Sequence, residues 1–209
     1  QGPHLGRSTQ FARTLRNEVM LEIETTFIKD LYVLHRHVHQ DERGIFNRFF
    51  AADELAAAGI PAEAVHINSS TSTSMGTLRG IHFQYPPFAE GKIVSCAAGA
   101  VWDVGIDLRP DSPTRFKWFG TKLTPENGVS LVVPEGFGHA FITLEPNSTV
   151  VYVVSAVYAP DHESGIMYDD PLLKIDWPIQ PTVISEKDRS WDKIEKRLKE
   201  LDSGFSQSN

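Results

Sequence analysis

The chain has 209 residues, 41% hydrophobic and 22% charged, which is enough apolar material to bury a core as one large domain. A formal net charge of −7 excludes the clustered cationic surface that nucleic acid requires, though not a local cationic pocket for a small phosphorylated ligand. A single cysteine, Cys96, excludes an internal disulfide framework and fits a reducing cytoplasm, and no apolar run reads as a signal peptide or a membrane span.

Taken in chain order, Gln1-Gly2-Pro3-His4 resembles the scar left by a tag-removing protease, and residues 1–17 read as a loose polar arm. Short strands are predicted over 20–24 and 31–38, followed by a turn at Asp41-Glu42-Arg43-Gly44. Residues 51–58, rich in Ala, Glu and Leu and closed by Gly59, predict a short helix. Strands follow over 66–69, 77–84, 92–97, 101–108, 116–123, 130–133, 139–143 and 149–158. Turn chemistry such as Pro125-Glu126-Asn127-Gly128 and Pro134-Glu135-Gly136 separates them. The 101–108 strand alternates, with Trp102, Val104, Ile106 and Leu108 on one face. Residues 186–201 predict a charged amphipathic helix, and 203–209 a polar tail. Many short strands without interleaved helices mean an all-β sandwich or barrel, with one domain over 18–202.

Two histidines occupy comparable strand-turn units. His82 follows Arg79-Gly80, and His139 closes Pro134-Glu135-Gly136-Phe137-Gly138, which matches the P-x-G-x-x-H element of cupin barrels. The first unit would then need an H-x-H pair of metal ligands, but it reads His82-Phe83-Gln84. An amide replaces imidazole poorly in a transition-metal site, and adding Glu90 still leaves the ligand set short, so no metal is expected. What is left is a cavity with His82, His139, Lys92, Arg79 and tyrosines. A lysine ammonium there can stabilise an enolate oxygen, the difficult charge in proton abstraction beside a ketone. Tyr152, in the apolar run Val150-Val151-Tyr152-Val153-Val154, has a hydroxyl that needs a partner or a task. A phenol and an imidazole on opposite sides of a substrate could invert a carbon centre.

Each of these residues alone has a plainer reading. A single His on a strand is commonly structural, Tyr152 could be a core aromatic, and Lys92 a strand-edge charge. His35, His37 and His39 alternate and read as an exposed polar face.

The order of these residues, with Asp41-Glu42-Arg43-Gly44, residues 78–84, Gly91-Lys92-Ile93-Val94, Trp102 to Arg109, Asp111-Ser112-Pro113-Thr114, residues 133–141, Tyr158-Ala159-Pro160 and Ile175-Asp176-Trp177-Pro178, resembles the dTDP-4-dehydrorhamnose 3,5-epimerase family. The resemblance runs from about residue 31 to 188. It implies a cupin-like jelly-roll β-barrel or sandwich with a few short peripheral helices, including a C-terminal one. It also implies a cytoplasmic homodimer that acts on a nucleotide-linked 4-keto-deoxysugar, without cofactor or metal, and binds neither nucleic acid nor membrane. His82 matches the general base, Asp188 its orienting carboxylate, Lys92 the lysine near the enolate oxygen, and Tyr152 the acid on the far face. The implied substrate-binding set is Arg43, Phe46, Arg48, His66, Asn68, Arg79, Gln84, His139 and Tyr158, with the Arg43 region reaching the neighbouring subunit's site.

Departures from the family pattern cluster on recognition. Arg48 stands in an acidic position near the base, His66 opens the strand in place of a glutamine, and Val153 and Val157 replace a lysine and an aromatic. Arg48 shifts the expected base from thymine towards one presenting acceptors, such as cytosine or guanine. Two other functions stay open on sequence: a 3,4-ketoisomerase of a related sugar nucleotide, which would not need Tyr152, and a non-catalytic cupin that binds a sugar or nucleotide.

Overall fold

Alternating apolar residues over short spans produce the strands, and the computed structural model describes residues 9–12 and 21–206. The strands are β1 (Thr9–Ala12), β2 (Leu21–Thr25), β3 (Tyr32–Arg36), β4 (His39–Asp41), β5 (Gly44–Phe46), β6 (His66–Ser72), β7 (Thr77–Gln84), β8 (Lys92–Ala98), β9 (Val101–Asp107), β10 (Trp118–Leu123), β11 (Val129–Val133), β12 (Phe137–Thr143), β13 (Ser148–Val154), β14 (Glu163–Gly165) and β15 (Val183–Ile184). The helices are α1 (Ala52–Ala57), α2 (Glu186–Arg189) and α3 (Ile194–Phe205). One sheet runs β1-β2-β3-β11-β8-β13-β6 and the other β10-β9-β12-β7-β14, with β15 parallel to β7. β4 and β5 form a separate hairpin. The two sheets pack face to face as a cupin-like jelly roll.

Two apolar clusters pack between the sheets. Leu31, Val33, Leu131 and Val133 of the larger sheet side meet Phe137, while Val94, Cys96 and Val150 meet Val101 and Phe141 of the smaller sheet. The outer faces are apolar as well. On the larger sheet, Leu34, Ile93, Val132 and Val153 are covered by Leu55 of α1 and by Ile60. On the smaller sheet, Ile81, Phe83, Val104, Ile106 and Leu108 are covered by Ile166, Leu173 and the α3 residues Ile194, Leu201 and Phe205. The face of β9 that sequence alternation groups together is therefore the outer one. Its other face, with Asp103, Gly105 and Asp107, turns inward: a Cβ on Gly105 would meet Leu31 and Val133.

Several boundaries differ from the sequence reading. Thr9–Ala12 pairs antiparallel with β2, so this part of the span read as a loose arm is a strand; the rest of that span, including Gln1 to His4, lies outside the described residues. The Asp41–Gly44 turn carries a short hairpin on both sides. The helix predicted over 186–201 is two helices, because the chain leaves helical geometry between Arg189 and Ile194. The second then runs to Phe205, whose burial draws in residues read as a tail. His35 lies 3.0 Å from Glu24, and β3 ends at Arg36 before His37 and His39, whose rings meet edge to face at 4.5 Å.

One irregularity positions the interior. β12 and β7 pair His139 with His82 and then Phe141 with Arg79, so β7 spends one more residue than β12 over this stretch. Such a bulge re-aims side chains that strict alternation would send to opposite faces. Gly80 lies inside it at φ +120°, and a Cβ there would come within 2.6 Å of the Ala140 Cβ and of the His139 carbonyl oxygen. Gly80→Ala is expected to cost about 2–4 kcal/mol through backbone strain and overpacking. Urea unfolding checks this; an unchanged midpoint and slope would contradict it.

Candidate active site

Between the sheets lies a polar cavity with two lobes, of about 470 Å³ and 380 Å³, which share His82, Lys92 and Tyr152. Two larger concavities lie elsewhere, about 850 Å³ along the β4–β5 hairpin and about 620 Å³ beside Arg109. The hairpin concavity is open and lined by exposed residues, and Arg109 is spent on Asp107 and Asp30. The chemistry therefore points to the smaller, inter-sheet cavity.

His82 enters it from β7, between Ile81 and Phe83, which pack on the outer side. One ring nitrogen lies 2.6 Å from Asp188 Oδ1, across 106 residues of chain. A carboxylate at that distance accepts, so this nitrogen carries hydrogen and the other is left as the basic atom. Asp188 is held in turn: its Oδ2 accepts from the Gly80 N–H at 3.2 Å, and its own N–H donates to Ser185 Oγ, the N-cap of α2, at 3.0 Å. Burial pushes the Asp188 carboxyl up. The hydrogen bond and charge of His82 and the Gly80 N–H outweigh burial and hold it below the usual aspartate range.

His139, opposite His82 in the β12–β7 register, has its own carboxylate: a ring nitrogen lies 2.8 Å from Asp103 Oδ1, and Asp103 is fully buried. From the facing sheet, Lys92 Nζ lies 2.9 Å from Glu90 Oε1, both side chains largely enclosed. Tyr152, paired with Val94 across β13 and β8, lines both lobes. Burial, then the nearby Glu90 charge, raise its phenol above the ordinary tyrosine value, with Arg79 opposing them. Such a phenol stays protonated at neutral pH and can serve only as an acid there.

The cavity also collects Arg79, His66, Asn68 and Tyr158, with Arg79 Nε donating to Ser72 Oγ at 3.3 Å. Tyr158 donates to Glu163 at 2.6 Å, and Lys187 pairs with the same carboxylate at 2.6 Å. Burial raises the Glu163 carboxyl, but those two partners pull it below the usual glutamate range. Gln84 lines the same cavity and is held there: its NH₂ donates to the Phe88 and Val157 carbonyls and its oxygen accepts from the Ala159 N–H, so it clasps two loops. Three expected binding residues lie outside this cavity. Arg43 is exposed and paired with Asp41, Phe46 is exposed on the hairpin, and Arg48 pairs with the buried Glu54 of α1 at 3.2 Å. Within its own chain the Arg48 guanidinium thus already answers a buried carboxylate.

Sequence reasoning missed Asp103, Glu163 and Lys187, and it weighed Glu90 only as a metal ligand. The inward alternation of β9 could have flagged Asp103; nothing local points to Glu163 or Lys187. Among the described residues, no group of three or more His, Cys, Asp or Glu side chains is arranged to hold a metal ion.

A sequence profile described as dTDP-4-dehydrorhamnose 3,5-epimerase matches residues 25–196. The dTDP-4-dehydrorhamnose 3,5-epimerase of Sinorhizobium fredii is 44% identical over 151 residues, 72% of this chain and 77% of that protein. The crystal structure of dTDP-6-deoxy-D-glucose-3,5-epimerase from Legionella pneumophila, in complex with dTDP-4-keto-L-rhamnose, superposes with a TM-score of 0.81 at 37% identity, covering 87% of this chain and 96% of that one. NovW, a 4-keto-6-deoxy sugar epimerase from the novobiocin biosynthetic gene cluster of Streptomyces spheroides, superposes with a TM-score of 0.82 at 32% identity, covering 87% and 92%.

The Asp188 pairing has a signature in stability. A carboxyl whose folded pKa lies below its unfolded value near 3.9 contributes stability above that value and loses it as pH falls through the folded one. Asp188→Asn should therefore flatten the acid limb below about pH 4 in urea unfolding. An acid limb as steep as in the parent protein would contradict the pairing.

Proposed function

The chain belongs to the dTDP-4-dehydrorhamnose 3,5-epimerase family, and on that premise we propose how its own residues carry out epimerisation of a nucleoside-diphosphate-linked 4-keto-6-deoxyhexose. The enzyme is an isomerase. The observation that carries the residue roles is that His82 projects from one sheet while Tyr152 and Lys92 project from the facing one, all into the same cavity. A sugar ring between the sheets would present opposite faces to the imidazole and the phenol.

The 4-keto group acidifies the hydrogens on C3 and C5. The basic nitrogen of His82 takes one such proton, and the C–H electron pair moves through the ring carbon to the ketone oxygen, giving an enolate. Asp188 stabilises the imidazolium that forms, as a carboxylate does in any such pair. The Lys92 ammonium donates to the enolate oxygen, where a fixed charge in a partly dry site is most effective. Tyr152 then delivers its proton to the carbon from the other face, the ketone re-forms, and the centre is inverted. Solvent returns a proton to the phenolate and removes one from His82.

Arg79, exposed on β7 where it lines the larger lobe, suits the diphosphate through its planar fork of donors. With Arg48 committed to Glu54, the base is assigned as thymine, in line with the relatives. Arg43 and Phe46 serve the partner's site of a homodimer, which accounts for a hairpin that stands exposed outside its own chain's cavity. No helix among the described residues is long and apolar enough to cross a membrane, and the lone, buried, unpaired Cys96 supports a cytoplasmic setting.

Two variants test the assignment in deuterated solvent. His82→Ala should abolish deuterium exchange at the substrate carbon, a loss of at least 10²-fold for general base catalysis. Tyr152→Phe should suppress inversion to a similar extent and leave deuterium wash-in, because only far-face reprotonation is lost. Exchange at the parent rate in the first, or normal inversion in the second, would remove that residue from its role.

A further inference from the structure

Glu90 is a carboxylate of the cavity to which the mechanism gives no task. Glu90 lines the lobe with His82, Lys92 and Tyr152, and its side chain is only 15% exposed. An uncompensated carboxylate in such a place would be costly, so its position demands a partner, and Lys92 Nζ at 2.9 Å is that partner.

The loop that carries Glu90 is fixed on both sides. Upstream, the Phe88 carbonyl accepts from the side chain of Gln84 at 2.8 Å. Downstream, the Gly91 N–H donates to Ser155 Oγ at 2.8 Å, and the Ser155 N–H returns a bond to the Gly91 carbonyl at 3.1 Å. Gln84 is itself anchored in β7 beside the base, so the clasp ties the Glu90 loop to the strand bearing His82. Lys92, by contrast, hangs on four methylene groups and has many rotamers to lose. Something must choose among them if the ammonium is to meet one oxygen atom.

We infer that Glu90 is a positioning residue: its carboxylate fixes the Lys92 ammonium at the place where the enolate oxygen forms. This rests on the role given to Lys92 above. The ion pair directs one N–H at Glu90 and leaves the other two for substrate, which turns a flexible cation into an oriented donor. Its value lies in orientation, since neutralising the ammonium by itself would weaken its hold on an enolate.

A double-mutant cycle tests this. Glu90→Ala should lower kcat and the rate of deuterium exchange together by about tenfold to a hundredfold, as misplacement of a catalytic group does, with KM and thymidine diphosphate affinity within about twofold of the parent. Glu90→Gln, which keeps shape and an acceptor, should recover part of the loss. In a Lys92→Ala background Glu90→Ala should add almost nothing, because Glu90 acts through Lys92. If Glu90→Ala slows the Lys92→Ala protein as much as it slows the parent, or leaves the parent at full rate, the inference is wrong. If Lys92→Ala alone turns over and exchanges at the parent rate, the role of Lys92 falls and this inference falls with it. Should Glu90→Ala fail to fold, the cycle is run with Glu90→Gln, with the same pattern at smaller amplitude.

Discussion

A cavity between two apolar sheets can hold ionisable side chains only where partners answer their polar atoms, and that constraint organises this protein. His82 is answered by Asp188, His139 by Asp103, and Lys92 by Glu90. Each match is made by a different route. Asp188 arrives from the C-terminal segment, Asp103 from the adjacent strand, and Glu90 from a loop just ahead of the lysine's own strand. Leaving the buried carboxylate of Asp103 or Asp188 without its partner would be strongly destabilising, so the pairs are as much a condition of folding as of chemistry.

The His82–Asp188 pair does most to join fold to function. The chain between them builds β8 to β15, and α3 then covers the outer face on which Ile81 and Phe83 lie. Arg197 of α3 reinforces this by donating to Ser164 Oγ at 2.5 Å and to the Gly165 carbonyl, on the strand that pairs with β7. The setting of the base therefore depends on the packed C-terminal segment. The β7 bulge, the Gly80 N–H on Asp188 and the Gln84 clasp all act within one strand, which explains why residues 77–84 look so little like an ordinary core strand.

Much of this was legible in the residues. Period-two alternation and turn chemistry located β7 to the residue and most other strands to within a few. The odd polarity of residues 79–84, set against the residues ending at His139, pointed to a shared cavity, and β12 and β7 do pair those two histidines. What escaped has physical reasons. Alternation states which residues share a face but not whether that face is inside or outside; in β9 the apolar face is the outer one, so Asp103 looked incidental. A bulge leaves no local mark beyond Gly80. Pairings such as Arg48 with Glu54, six residues apart, or Lys187 with Glu163, twenty-four apart, depend on loop paths that composition does not encode. The helix read over 186–201 is interrupted between Arg189 and Ile194, where Trp191 packs beside Gly165.

On this mechanism, inversion exchanges a carbon-bound proton with solvent through an enolate held in this cavity. A single turnover of the parent protein with a dTDP-4-keto-6-deoxyhexose in D₂O, with the product read by NMR and mass spectrometry, tests it. One solvent deuterium is expected at every inverted carbon. Inverted product that carries none would contradict it.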